Sequence, residues 1–413
     1  MSDPAALIED LFRRESGHLV SALTRLLGPA NLALAEDVVH DAMLRAIHTW
    51  PSGLPRDPKA WILQTAKNRA IDLIRRDRRW TASPSDDDDD AFGHTLEAAL
   101  SPAEDATNQL AMMFSICDDS LSRETHVTLI LRLLCGLSPA EIGRAFLVDA
   151  ATIDRRLHRG RARLQALGRL HDPTDQEARA RLPSVLHALY LLFNEGYHGS
   201  DPHSPLHPGM CADALRLAEL VAASPAVAAA EVDALAALFC FHAARLATRL
   251  DQDGVLVPLA EQDRTRWDRA LIGRGVVHLA SASTGDRMTR WHLEAGVACE
   301  HTIAASVEDT NWRRIVELYD ALMAVAPSPV IAMNRGVAIA ELDGLDAGRD
   351  ALLAVGEDAK VAEYPFYWGA LADIERRAGR VADARGYYER AIALTRSRAE
   401  RVSYDKRLQL LTK

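Results

Sequence analysis

"SPAEIGRAFLVDAATIDRRLHRGRARL", residues 138–164, carries its own punctuation. Ser138 precedes Pro139, and Glu141 follows three residues after the serine. That is a helix start, with a capping side chain, proline at the first helical position and a glutamate that reaches back to the cap. Ile142 and Phe146 give this short helix an apolar face. Leu147-Val148-Asp149 interrupts it, and Asp149 is placed to cap the next helix. There Ile153 and Leu157 face inward, leaving Thr152, Asp154, Arg155, His158, Arg159 and Arg161 to solvent or a ligand. Two short capped helices joined by a tight turn, the second basic, describe a helix-turn-helix. Such a unit sets its second helix in the major groove, where arginine pairs with guanine edges and phosphates. A solvated basic face has the same composition, so the stretch alone leaves both readings open.

The surrounding chain narrows the choice. It has 413 residues and a net charge of -10, so it is not a protein that coats nucleic acid along its length, and any such contact is local. The length allows two to four domains. Apolar residues recur at spacings of three and four, Ala, Leu, Arg and Glu dominate, and alternating strand patterns are absent. The expected fold class is all-α. No apolar run is long enough to span a bilayer, and the N-terminus lacks a signal-peptide core, so no membrane contact is expected. Cysteines 117, 135, 211, 240 and 299 are odd in number, far apart and outside any CxxC pair. A disulfide framework or structural zinc site is therefore not expected, and a reduced, cytoplasmic setting is.

Composition divides the chain into a helical set over 5–80, a Ser/Pro/Asp-rich linker over 81–101, a second helical set over 102–168, and an Ala- and Leu-rich remainder. In "AEDVVHDAMLRAIHTWP" (35–51), Val38, Ala42 and Ile47 are expected inward, with Asp37, Asp41 and Arg45 outward. "DPKAWILQTAKNRAIDLIRRDRR" (57–79) is capped by Asp57 and opened by Pro58. Its Lys67, Arg69, Arg75, Arg76, Arg78 and Arg79 outnumber Asp72 and Asp77. Each small set thus holds one basic helix.

This arrangement resembles the extracytoplasmic-function group of sigma-70 factors, the subunits that direct bacterial RNA polymerase to promoters. "LFRRESGHLVSALTRLLG", "AEDVVHDAMLRAIHTW" and "WILQTAKNRAIDLIRRDRR" are similar to successive parts of region 2, which places region 2 in 1–80. "LSPAEIGRAFLVDAATIDRRLHRGRARL" is similar to the -35-reading part of region 4, which places region 4 in 102–168. The resemblance implies core polymerase and promoter DNA as partners. It implies polymerase docking through Asp37, Asp41 and Arg45. It implies -10 strand capture by Trp61, Lys67, Asn68, Arg69, Asp72, Arg75 and Arg76, and -35 contacts by Thr152, Asp154, Arg155, Arg156, His158, Arg159 and Arg161. The loop over 49–61 would hold a flipped base; Trp50 and Trp61 are equally the material of a helical core. Asp154 stands where many relatives carry Lys. A carboxylate repels phosphate but accepts from cytosine N4, so base preference shifts there. The linker, extended, reaches at most about 70 Å, roughly two turns of duplex. Its aspartates either follow a basic polymerase channel or keep it solvated.

Minimal members of the group end near residue 170, whereas this chain continues as a helical extension over 169–290 and a repeat-like segment over 291–413. In "YPFYWGALADIERRAGRVADARGYYERAIALTRS" (364–397), Trp368, Leu371, Ala372, Gly379, Ala384, Tyr388 and Ala391 occupy tetratricopeptide spacings. Glu375 replaces the expected tyrosine and Arg396 the closing proline. A weaker copy starts near Pro329 with Asn334-Arg335-Gly336, and a third holds Trp312, Ile315 and Tyr319. Stacked pairs of this kind offer a surface to a protein or peptide ligand; an ordinary helical bundle is the alternative. "Leu-Phe-Asn-Glu-Gly-Tyr" (192–197) is similar to an element of long sigma factors with helical, repeat-bearing extensions. Asn194, Glu195 and Gly196 are expected to end a helix and hold a loop, and the element to brace the end of region 4. His198, His203, His207 and Cys211 are irregularly spaced and match no metal site, so neither metal nor cofactor is expected. No nucleophile–base–acid set or phosphate-binding glycine loop appears, and an enzyme is not expected. A helix-turn-helix regulator with a helical sensor domain would not need "DPKAWILQTAKNRAIDLIRR". A tetratricopeptide adaptor would leave both basic helices without purpose.

Overall fold

Capping chemistry sets where the helices start. In the computed structural model, Ser138 N–H donates to Glu141 Oε2 (2.7 Å), and Glu141 N–H donates to Ser138 Oγ (3.2 Å). Asp149 Oδ1 accepts from Thr152 N–H at 2.6 Å, and Asp57 Oδ1 from Ala60 N–H at 3.0 Å. These bonds satisfy orphan amides of the first turn. The structure describes residues 4–78, 95, 98, 102–146, 148–167, 170, 172–199, 205–395 and 397–411. The linker expected over 81–101 therefore lies outside the described residues, apart from Thr95 and Ala98, both helical. Among the described residues there is no strand, only an isolated bridge between Leu250 and Leu256.

The chain divides into two units. The first comprises residues 1–195 and 212–228. It begins with α1 (Pro4–Leu27), α2 (Leu32–Thr49) and α3 (Pro58–Arg78), followed by α4 (Pro102–Ser115), α5 (Arg123–Leu133), α6 (Pro139–Phe146) and α7 (Ala150–Ala166). α1 packs on α2 and α3, and also on α4 and α5. The approach to the end of α5 is close. A Cβ on Gly17 would lie 1.9 Å from the Leu134 carbonyl oxygen, so only glycine fits. Leu19, Leu23, Val38, Ala42, Ile62, Met112, Ile130, Ile153 and Leu157 are buried. Ile47, expected inward, is 50% exposed; Ala46 takes the inward position instead. The stripe on α2 runs Ala35, Val38, Val39, Ala42, Met43, Ala46, and one further residue already turns outward.

α8 (Asp175–Tyr197) and α9 (Pro208–Ala223) complete this unit with all but their ends nearest the intervening loop. Arg181 Nη1 donates to Phe114 O (3.2 Å), Arg123 Nη2 to Pro183 O (2.8 Å), and Arg216 Nη2 to Gln109 Oε1 (2.8 Å). His126 Nδ1 and Ser184 Oγ are 3.3 Å apart, and the His187 ring meets Phe146 edge-on. The helix set α4 to α6 is thus braced by Arg181, Ser184, His187 and Arg216. Within the Asn194–Tyr197 element, Gly196 O accepts from His207 N–H at 2.7 Å, which ties the end of the helix to the loop that follows.

The second unit, residues 196–211 and 229–413, contains α10 (Ala230–Ala243), α11 (Arg269–Ala282), α12 (Arg290–Ile303) and α13 (Trp312–Val325). α14 (Pro329–Leu342), α15 (Leu345–Val355), α16 (Ala359–Ala362), α17 (Pro365–Arg377), α18 (Val381–Leu394) and α19 (Arg398–Leu410) follow. α14 packs on α15 and α17 on α18. Each pair opens on a proline and turns at a glycine with positive φ, Gly344 (102°) and Gly379 (75°). Leu371, Ala372, Ala384, Tyr388 and Ala391 are fully buried at the α17–α18 pair. No helix among the described residues is long and apolar enough to cross a membrane.

Candidate nucleic-acid interface

α7 is held from behind and open in front. Ile153, Leu157, Gly160 and Leu164 are buried on its inner side. Near its C-terminal end Arg163 forms a two-pronged ion pair with Asp118, Nε to Oδ1 at 2.9 Å. That pair holds the Asp118 carboxyl down to about 2. Asp154, Arg155, His158 and Arg159 are exposed on the opposite face, and Thr152 is half-buried. Arg155 Nη2 donates to Thr152 Oγ1 at 2.8 Å, which orders it along the front of the helix.

Two of the expected -35 contacts are engaged elsewhere. Arg156 lies over the Phe146 ring, 5.1 Å from its centroid, and packs the two helices of the helix-turn-helix together. Arg161 Nη2 donates to Glu36 Oε1 of α2 at 2.5 Å. Glu36 was not legible as a partner, since 125 residues separate the pair. Arg25 and Asp172 form a second long-range pair at 2.6 Å.

On α3, Asn68 and Asp72 are exposed, and Asn68 Oδ1 accepts from Gln64 Nε2 at 2.9 Å. Trp50 is buried, and half-buried Trp61 meets it edge-on with centroids 5.6 Å apart. Trp50 thus belongs to the core, while Trp61 keeps part of its ring at the surface. Lys67 is half-buried. Arg69 Nε donates to Asp41 Oδ2 at 2.6 Å, joining a residue expected on the -10 strand to one expected on polymerase. The side chains of Arg75 and Arg76 lie outside the described residues. On α2, Asp37 and Arg45 are exposed, beside Leu44 (40%) and Ile47 (50%). The exposed apolar pair was missed in the sequence; its signal was two large aliphatic residues on the charged side of the helix.

The first unit thus pairs a capped helix-turn-helix with an arginine-bearing front and a three-helix set with its own long surface helix. The sigma-70 region 2 family matches residues 11–81, and the sigma-70 region 4 family matches residues 119–164. A family of unknown function (DUF6596) matches residues 181–283. An uncharacterized protein of Rhizobium meliloti (strain 1021) is 34% identical over 396 residues, covering 92% of each chain. The ECF RNA polymerase sigma factor SigE of Mycolicibacterium smegmatis is 26% identical over 164 residues, 38% of this chain and 60% of that protein. The chain belongs to the extracytoplasmic-function type of the sigma-70 family and carries a C-terminal extension.

Proposed function

We propose that this chain binds core RNA polymerase and directs it to promoters, with α7 reading the -35 duplex and α3 capturing the -10 strand. The supporting observation is the front of α7, where Asp154, Arg155, His158 and Arg159 are exposed on a helix whose back is fixed in the core. Arginine on such a face donates two hydrogen bonds to guanine, and Asp154 accepts from cytosine. Asn68 and Asp72 present polar groups along the path of an unpaired strand, with the Trp61 ring beside them for stacking. Asp37, Arg45, Leu44 and Ile47 form the polymerase-facing side of α2. Bond making and breaking then belong to the polymerase, and the protein works in the cytoplasm.

The extension has a positive role in this reading. Its first helices complete the packing around region 4, and its later helix pairs, read as tetratricopeptide-like, hold a protein or peptide ligand. The test is run-off transcription with core polymerase on genomic fragments. Promoter-specific transcripts that depend on this chain support the proposal. Their absence, with no retention of core polymerase in a pull-down, would sink it.

A further inference from the structure

Three arginines of the second unit lie close enough to affect the same neighbours, yet none forms an ion pair with a carboxylate among the described residues. Arg245 is 7% exposed; its Nη2 donates to Tyr197 Oη at 2.8 Å, and its Nε is buried without a partner. Arg249 lies over the Tyr197 ring at 3.8 Å, and its Nε is also buried and unpaired. Arg264 donates through Nη1 to the carbonyls of His301 (2.6 Å) and Ala304 (2.8 Å) at the end of α12. Glu308 and Asp309 attract Arg264, and Glu400 attracts Arg249, only from beyond ion-pair distance. Arg245 is buried and Arg249 and Arg264 are half-buried, and positive charge so placed with no carboxylate in contact favours a bound anion.

Of the three, Arg264 is the one that lines a groove of about 360 Å³, at the lower end of the range for ligand pockets, roughly 300–1,000 Å³. Trp312, Ile315 and Tyr319 form an apolar side, and Asn334 of α14 borders the space between. The Asn334 amide makes no hydrogen bond among the described residues, so a donor and an acceptor are both available, as a peptide backbone requires. His301 is held neutral, pushed down to about 3 by burial and then by Arg245 and Arg264, and presents a further donor and acceptor. At the far rim Arg377 is neutralised by Glu341 (2.9 Å), and the Asp373 carboxylate, which also lines the groove, is paired with Arg376 (2.7 Å) and Arg407 (3.3 Å). The groove is therefore cationic at one end and compensated at the other.

We propose that this groove binds an extended acidic segment of a partner protein, its carboxylate at the Arg264 end and its backbone on Asn334. The proposal rests on the reading that the late helices hold a peptide ligand, and it names the chemistry of that ligand.

The probe is an array of end-blocked heptapeptides in which a central Asp, Asn or Lys is followed by each apolar residue in turn, titrated against the full-length chain by fluorescence anisotropy. Aspartate members should bind at least tenfold more tightly than their asparagine counterparts, and lysine members should not bind. Asn334→Ala should weaken every bound member about tenfold. Asn334→Asp, a substitution at a half-buried surface position, should repel the acidic members most. Arg264→Gln should erase the preference for aspartate; because Arg264 also caps α12, circular dichroism accompanies that variant. Equal binding of aspartate and asparagine members, no bound member at all, or indifference to both Asn334 substitutions would overturn the proposal. Competition by free glutamate as strong as by peptide would replace the partner with a small acid. Transcription assays read the sigma function separately, so either reading can fail alone.

Discussion

Glu375 shows how one residue departs from a pattern and keeps its purpose. Tetratricopeptide spacing predicts tyrosine there, but the carboxylate is fully buried in the α17–α18 pair. It is satisfied by Arg349 Nε at 2.6 Å and by Arg380 Nε, and Arg380 also reaches Asp346 at 2.8 Å. The departure was legible in the sequence; its compensation was not, because the pairing arginine Arg349 lies in the preceding helix pair. Glu375→Gln should cost about 2 kcal/mol in urea unfolding, below the roughly 3–5 kcal/mol for breaking a fully buried pair, because both arginines are a third exposed. No loss would mean that the two arginines do not need the charge. Histidines of the same unit carry a pH dependence. Burial, then Arg245, holds His242 well below the ordinary imidazole range, and burial likewise pushes His301 down to about 3. Unfolded imidazoles protonate near 6.5, so below that pH the unfolded chain takes up protons that the folded chain refuses. Stability is therefore full above about pH 6.5 and falls on acidification, by up to about 1.4 kcal/mol per pH unit for each ring. The urea midpoint should drop between pH 7 and pH 5, and His242→Gln with His301→Gln should flatten that drop; an unchanged slope in the double variant would assign it to other groups.

Among the elements, α2 and α7 illustrate what periodicity conveys and what it omits. The caps at Asp57, Ser138 and Asp149 and the inward positions of Ile142, Ile153 and Leu157 were legible, since each depends on residues within a turn. The Glu36–Arg161 pair was not, because charge on a helix face does not reveal which distant helix it meets. That pair has a consequence for promoter readout. While Glu36 accepts from Arg161, the arginine is not available to a phosphate or base. Glu36→Ala should therefore tighten -35 duplex binding several-fold at low salt and steepen the salt dependence by about one phosphate contact. Unchanged affinity and slope would show that Arg161 does not face DNA. Asp41 is committed to Arg69, so the polymerase contact proposed for α2 is better tested by Asp37→Arg with Arg45→Glu. Both side chains are exposed, and such changes usually cost under about 0.5 kcal/mol of stability. Core polymerase affinity should fall while the melting curve stays in place; retained affinity would remove this face from the contact.

At the scale of the whole chain, the all-α class and the order of parts were legible from spacing and punctuation, but the extent of the first unit was not. Nothing in local composition says that helices after residue 170 belong with region 4. The structure places α8 residues Arg181, Ser184 and His187, and Arg216 of α9, on partners in α4 to α6. A cut at residue 170 removes all four and uncovers the apolar surface they shield. At about 1 kcal/mol per hydrogen bond, with lost apolar burial added, roughly 5 kcal/mol is at stake, which lowers Tm by about 10–20 °C for a fragment of this size. The fragment 1–228 retains the whole first unit and should melt as one transition, whereas 1–170 should melt far lower. Equal melting would show that α8 and α9 are not needed to hold region 4. The same comparison decides how a transcription defect is to be read, since any loss in 1–170 combines damage to region 4 with removal of the extension. Fragment 1–228 isolates the second effect. It should bind core polymerase and -35 duplex as the full chain does, yet give less promoter-specific transcript if residues 229–413 assist initiation. A transcript yield above that of the full chain would reverse the sign and make those residues inhibitory, and an equal yield would confine them to recruiting the acidic partner.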